Sequence, residues 1–217
     1  LPFIASPMDT VCETMMSLML SEKGGIGCIH RFMSIEAQTD MISTIKKINK
    51  NNMTMAAIGA NGDFFERALE LSNVGIDFIL IDVAHGHHKH VKDALSVLKS
   101  RIDIPIIAGN IATANAGLDL VEWGADCLRV GIGGGSLCST RIQTGFGIPN
   151  ISTIQNISEA LGSNNIDIPI IADGGIRSSG DIAKALAAGA DTVMLGSLLA
   201  GTYETPGDIL KSGHKVY

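Results

Sequence analysis

Eight short apolar runs, alternating with stretches of helical periodicity, are the strongest constraint on how this chain folds. The runs are "PFIASPM" (2–8), "GIGCIHR" (25–31), "MTMAAIGA" (53–60), "FILIDVA" (78–84), "PIIAGNI" (105–111), "CLRVGIG" (127–133), "IPIIADGGI" (168–176) and "TVMLGSLLAG" (192–201). Between them lie amphipathic segments such as "DFFERALELSNVG", "HVKDALSVLKS", "AGLDLVEWG" and "GDIAKALAAG". Continuously apolar strands separated by helices of this length predict a parallel sheet covered on its outer face. Eight of them predict an α/β chain closed into a (β/α)8 TIM barrel, with an open doubly wound sheet as the alternative. The repeated joints "NVGIDFIL", "EWGADCLR" and "AAGADTVM" read as helix C-caps that turn into the next strand.

A chain of 217 residues fits one domain with an ample core. Aromatic residues make up only 4% while glycines number 25, so the core must be built from Ile, Leu, Val, Ala and Met. The formal charge of −6 and the absence of any basic block longer than "KK" (46–47) leave no footprint for a nucleic-acid backbone. "FILI" and "MMSLML" are far shorter than the roughly 18 apolar residues of a membrane span, and no signal peptide is seen. Cysteines at 12, 28, 127 and 138 have no C-x-x-C spacing and are too sparse for a disulfide framework. The expected setting is a reducing cytoplasm.

In such a barrel the active face is the C-terminal end of the strands. Polar and glycine-rich motifs fall there: "SPMD", "HR", "DVAHG", "GN", the loop after strand six, "DGGI" and "GS". Gly174, Gly175 and Gly196 would let backbone amides approach a ligand, Ser197 adds a hydroxyl, and a helix starting near Ser179 would offer its positive end. Together they read as a phosphate cradle; turn glycines without a ligand are the alternative. Asp173 is too acidic to serve a phosphate and suits a ribose diol, or merely caps a turn. "GIGGGS" fails G-x-G-x-x-G at its last position, and no G-K-[ST] occurs.

"VGIGGGSLCSTRIQTGFG" (130–147) sets Cys138 between glycines and hydroxyls. A thiolate nucleophile needs exposure, a lowered pKa and room for substrate. Glycines supply the room, Ser136, Ser139 and Thr140 the hydroxyls, and Arg129 and Arg141 the positive charge. No histidine is adjacent to act as a base, and an inert loop cysteine is the competing reading. "HGHHKH" (85–90) invites a zinc reading. Yet His85, His87, His88 and His90 have no carboxylate at ligand spacing, so polar helix-start residues are expected. Met15, Met16 and Met19 read as the core stripe of a helix.

With these residues in view, the chain resembles the IMP dehydrogenase / GMP reductase family over nearly all of its length. "GIGGGSLCSTR" is close to the family's G-I-G-x-G-S-x-C-x-T-R loop. "SPMDTV", "GGIGCIHR", "IDVAHGH", "AGNIAT", "ADGGIRSSGDIAKALAAGAD" and "MLGSLLAGTYETPG" follow in order. The resemblance implies that Cys138 attacks C2 of a purine nucleotide monophosphate (GMP, IMP or XMP) to form a covalent thioimidate. Thr140 and Glu204 match the pair credited with proton handling there. It implies that Ser136, Gly175, Gly196 and Ser197 hold the 5′-phosphate and Asp173 the ribose hydroxyls. Ser6, Met8, Asn110 and Arg129 would line the pocket. Asp82 would face the ribose of the cofactor, NADPH or NAD. The carbonyls of Gly133, Gly135 and Cys138 match a monovalent-cation site, read as potassium. A homotetramer is also implied, and Tyr217 falls at or near the family's phosphate-binding tyrosine.

Three departures stand out. Gly134 replaces the family's usual Pro or Ser, which suggests a looser loop. "KKINKNNMTMAAIG" runs straight through where most dehydrogenases insert a CBS pair. The flap whose Arg and Tyr activate water is not seen. Residues 1–217 are therefore expected to be a single catalytic barrel lacking an N-terminal cap, flap and last helix. Missing CBS modules and "GTYETPGD" favour a GMP reductase, which converts GMP and NADPH to IMP, NADP and ammonia. The alternative is an IMP dehydrogenase, which converts IMP, NAD and water to XMP and NADH; "AHGH" and "ADGGIRSSGDI" point that way. An FMN-dependent barrel oxidase and a non-catalytic nucleotide sensor are remoter readings.

Overall fold

The computed structural model describes residues 2–136 and 138–208. Its elements alternate: β1 (Phe3–Ala5), α1 (Thr14–Glu22), β2 (Ile26–Ile29), α2 (Ile35–Ile48), β3 (Thr54–Ile58), α3 (Phe64–Asn73), β4 (Phe78–Asp82) and α4 (Lys89–Lys99). Then come β5 (Ile106–Ile111), α5 (Ala114–Glu122), β6 (Cys127–Val130), α6 (Thr140–Thr144), α7 (Asn150–Ser163), β7 (Ile170–Asp173), α8 (Ser179–Ala187) and β8 (Thr192–Leu195). All eight strands pair in parallel, and β8 returns to β1, so the sheet closes as the expected barrel. Tyr217 lies outside the described residues. None of the described helices is long and apolar enough to cross a membrane.

Alternation along each strand sorts the core into two compartments. Ile4, Cys28, Met55, Ala57, Leu80, Ile107, Ile171 and Met194 fill the barrel interior as one cluster. Their neighbours Ala5, Ile29, Ala56, Ile79, Ile81, Ala108, Leu128, Ala172 and Val193 point outward to the helices in a larger one. Both faces are apolar because both are covered, which explains why the strands read as unbroken hydrophobic runs. The strands are shorter than those runs. β1 holds three residues of the seven in "PFIASPM", because Ser6, Pro7 and Met8 leave the strand and begin the loop of the active face.

The helix-to-strand joints are built as expected, with Gly75, Gly124 and Gly189 at φ of +78°, +100° and +110° beyond the ends of α3, α5 and α8. The aspartate of each joint has a role that the cap reading did not assign. Asp77 Oδ2 accepts from the amide of Thr54 at 2.7 Å, Asp126 Oδ2 from Ile106 at 2.7 Å, and Asp191 Oδ2 from Ile170 at 2.7 Å. Each carboxylate therefore pins the entry of the preceding strand, on the face opposite the active loops. The Met stripe of α1 is narrower than expected: Met16 is fully buried, whereas Met15 is 58% exposed, because Met16 and Leu20 share the inward face.

Asp77 also accepts from the Thr54 hydroxyl at 2.8 Å and from Lys46 Nζ at 2.6 Å. Asp77→Ala is expected to lower the unfolding free energy by about 2 kcal/mol, the scale of charge-assisted hydrogen bonds. Denaturant titration measures that loss. The reactivity of Cys138, at the other end of the barrel, is expected to stay unchanged.

Candidate active site

The inward row of side chains above the hydrophobic interior is polar. Asp82 on β4, Arg129 on β6 and Asp173 on β7 occupy it, and Gly109 on β5 is in register with both Asp82 and Arg129. A Cβ at Gly109 would lie 2.6 Å from Cβ of Arg129, so its absence lets the arginine cross β5. Arg129 Nη1 then meets Asp82 Oδ1 at 2.5 Å, and Nε meets Asp173 Oδ2 at 2.9 Å. Burial works against the guanidinium's charge, but the carboxylates of Asp173 and then Asp82 outweigh it and hold the pKa above the ordinary arginine value. Asn110 Nδ2 donates to Asp173 Oδ2 at 2.7 Å and to the Gly131 carbonyl at 2.8 Å. Oδ1 of Asp173 and Oδ2 of Asp82 have no partner among the described residues. Arg129 is thus a clamp that orients two carboxylates, in addition to lining the pocket as expected.

Above this row opens a cavity of about 870 Å³, within the range of small-molecule sites. Ser6, Met8, Asp82, Asn110, Arg129, Gly133, Gly135, Ser136, Cys138, Thr140, Asp173, Gly175, Gly196 and Ser197 all line it. They come from the exits of β1, β4, β5, β6, β7 and β8, so the barrel gathers residues that lie up to 191 positions apart. Glu204 is the exception. It is not among the lining residues, because the chain leaves the cavity wall after Ala200. Arg31 and Phe32 line the cavity too and were not singled out; the "HR" at the exit of the second run was the available signal.

Gly174 and Gly175, with φ of +88° and +74°, donate no backbone hydrogen bond among the described residues, and their amides are available to an anion. The start of α8 is not part of this cradle. Ser178 Oγ accepts from the Asp181 amide at 3.3 Å, and Asp181 Oδ2 accepts from the Arg177 amide at 3.1 Å. The helix thus supplies its own negative charge to its positive end. That turn borders a smaller cavity of about 340 Å³, lined by Arg177 and Asp181, rather than the main one.

The four free thiols divide sharply. Burial pushes Cys12 and Cys28 far up, and Cys127 up to about 12. Cys138 is half-buried at the cavity wall, and its pKa is pulled below the ordinary thiol value. The cause is first the Thr140 hydroxyl, 3.3 Å from Sγ, then the backbone amide of Thr140, with a smaller contribution from that of Gly133. The arginines do not provide the effect expected of them. Arg129 is spent on its carboxylates, and Arg141 lies along the loop backbone, with Nη2 3.4 Å from the Ile148 carbonyl. The Gly135 carbonyl, one of three expected to face a cation, accepts the Cys138 amide at 3.1 Å and keeps its second lone pair.

The histidine segment starts α4 as expected: His88 is its N-cap, and Nδ1 accepts from the His90 amide at 3.2 Å. No group of three metal-ligating side chains occurs among the described residues. His87 does have a carboxylate partner, unseen in the sequence because it is 32 positions away: Asp119 Oδ2 on α5, at 2.7 Å. His87 also stacks on Trp123 with ring centroids 5.5 Å apart, and Lys92 Nζ lies 5.6 Å from the same indole.

A family model described as "IMP dehydrogenase / GMP reductase domain" matches residues 1–217. The chain is 40% identical to the inosine-5'-monophosphate dehydrogenase of Borreliella burgdorferi over 265 residues, covering 99% of this chain and 65% of the relative. With that of Cryptosporidium parvum it shares 40% over 258 residues, covering 100% and 64%. With that of Thermoplasma acidophilum it shares 49% over 164 residues, covering 75% and 33%. The chain therefore spans less than two thirds of the length of each of these relatives. The first two alignments are longer than the 217 residues of the chain, so both relatives carry segments that it lacks.

Alkylation of Cys138 by iodoacetamide is expected to rise with pH and reach half its plateau below the pH of an ordinary thiol, because only the thiolate reacts. Thr140→Val removes the main stabilising donor and is expected to move that midpoint to higher pH. Mass-spectrometric peptide mapping separates Cys138 from Cys12, Cys28 and Cys127, whose raised pKa values are expected to make them react slowly throughout.

Proposed function

Because the chain belongs to the IMP dehydrogenase / GMP reductase family, we propose that it oxidises a purine nucleotide monophosphate at C2, with IMP as substrate and NAD as hydride acceptor. The observation that carries this reading is the placement of the one activated thiol, Cys138, on the same cavity wall as the anion-binding turn Gly174–Gly175. The sequence alone favours the reductase. The dehydrogenase is preferred here because the relatives reported above carry that name, across a bacterium, a parasite and an archaeon.

In this reading the amides of Gly174 and Gly175, with Ser136, Gly196 and Ser197, hold the 5′-phosphate. The free Oδ1 of Asp173 accepts from the ribose hydroxyls, its other oxygen being fixed by Arg129 and Asn110. Ser6 and Met8 close the pocket beneath Gly196, whose missing side chain leaves Met8 Sδ 3.4 Å from where a Cβ would stand. The Cys138 thiolate adds to C2, and the base stays attached to sulfur as a thioimidate after C2 is oxidised. When bound, the nicotinamide ring supplies acceptance of the hydride from C2. Asp82, with one oxygen held by Arg129 and the other open to the cavity, suits the ribose of that cofactor. Water then adds to C2, and the C–S bond breaks to release XMP and restore the thiol. In this reading the Thr140 hydroxyl moves a proton at C2, a task expected to be shared with Glu204, which is not among the residues lining the cavity.

Carbonyls of Gly133, Gly135 and Cys138 are neutral, hard donors and suit a monovalent cation such as potassium. Exposed Phe32, Ile142 and Phe146 at and beside the cavity loops support a homo-oligomer, a tetramer in this reading. Unpaired thiols support a reducing cytoplasm.

Protein mixed with IMP and NAD is expected to generate reduced-nicotinamide absorbance, and Cys138→Ala is expected to abolish it, a loss of at least ~1000-fold. Consumption of NADPH with GMP, and no reaction of IMP with NAD, would replace the dehydrogenase reading by the reductase. Nucleotide binding without turnover of either pair would replace it by a sensor.

A further inference from the structure

The smaller cavity behind the cysteine loop is bordered by Asn150, the first residue of α7. We propose that Asn150 is the positioning residue that seats the cysteine loop against the exit of β7, and that its seat requires position 134 to carry no side chain. The first half rests on hydrogen bonds. Nδ2 of Asn150 donates to the Asp173 carbonyl at 3.0 Å and to the Gly174 carbonyl at 2.5 Å, which ties both residues of the β7 exit to one side chain. The peg itself is rigid, since α7 buries Ile154, Ile157 and Leu161 and the Thr153 hydroxyl donates to the Pro149 carbonyl at 3.1 Å.

The second half rests on space. A Cβ at Gly134 would lie 2.6 Å from Asn150 Nδ2, 2.9 Å from Oδ1 and 3.0 Å from Cγ. Carbon and amide atoms do not approach that closely, so the asparagine occupies the volume a side chain at 134 would fill. Gly134 is not among the positive-φ glycines, so its backbone alone would accept a side chain. The constraint is packing. The contact continues on the far side, where a Cβ at Gly174 would meet the Gly135 nitrogen at 2.9 Å and the Gly134 carbonyl carbon at 3.1 Å. Loop, peg and β7 turn thus form one close-packed stack. Its two ends carry Cys138 and the Gly174–Gly175 turn, so Asn150 sets the spacing between sulfur and phosphate site. Oδ1 of Asn150 is buried with no partner, which leaves the peg an unspent acceptor beside the loop. The bare Gly134 therefore reads as a fitted surface, where the sequence alone suggested looseness.

The functional part of this inference rests on the cavity being the nucleotide site; the packing part does not, and the test separates them. Gly134→Ser, Asn150→Ala and the double variant form a cycle, each read by the pH midpoint and rate of Cys138 alkylation and by steady-state kinetics with IMP and NAD. Gly134→Ser alone is expected to slow alkylation and cut kcat about tenfold or more, the scale of a misplaced reacting group. In the Asn150→Ala background the same serine is expected to change both by less than about twofold. Equal effects in both backgrounds, or a silent Gly134→Ser, would overturn the proposal. If Gly134→Ser does not fold, Gly134→Ala repeats the cycle with the smallest side chain. Coupling in alkylation with no turnover of IMP would keep the packing assignment and remove the functional reading instead.

Discussion

A guanidinium held between two carboxylates is the interaction on which the active face depends. Arg129 keeps only 9% of its side chain exposed, and an unpaired charge there would cost several kcal/mol. Asp82 and Asp173 prevent that cost, and neither is a sequence neighbour: the pairs span 47 and 44 positions. The arrangement is possible because the barrel sets β4, β5, β6 and β7 side by side and because β5 offers Gly109 where a side chain would block the path. In return the arginine fixes one oxygen of each carboxylate and leaves the other toward the cavity. Remove the pairing and the polar row has no reason to hold its shape.

The same fold gives four cysteines opposite characters without any change in the residue. Cys12, Cys28 and Cys127 sit among apolar groups that punish a thiolate. Cys138 stands two residues before α6, where a hydroxyl and two backbone amides favour it. Reactivity is therefore a property of where the loop after β6 places a sulfur. The glycines of that loop contribute by bringing bare backbone close enough to matter.

Much of this was legible in order along the chain. Eight runs and their Gly-Asp joints specified the barrel, since strand count and helix spacing are local properties. The loop containing Cys138 and the turns at Asp173–Gly175 and Gly196–Ser197 announced the cavity, because strand exits of a closed barrel converge. What stayed hidden was pairing at a distance. The carboxylates of Asp77, Asp126 and Asp191 cap strands 20 to 23 positions away, and His87 finds Asp119 on another helix. Arg129 looked like a charge for the thiol and is a clamp for two acids. Ser179 looked like the start of an anion-binding helix, but Ser178 and Asp181 already satisfy that end. Glu204 carries a family motif, yet the described chain does not bring it to the cavity wall.

Trp123 is the chain's one tryptophan, and it lies against His87, in the loop between β4 and α4, and against Lys92 on α4. Imidazole and ammonium groups so near an indole alter its emission. The protein consequently contains an intrinsic fluorophore at the junction of α4 and α5, and changes in how those two helices pack can be followed optically without attaching a dye.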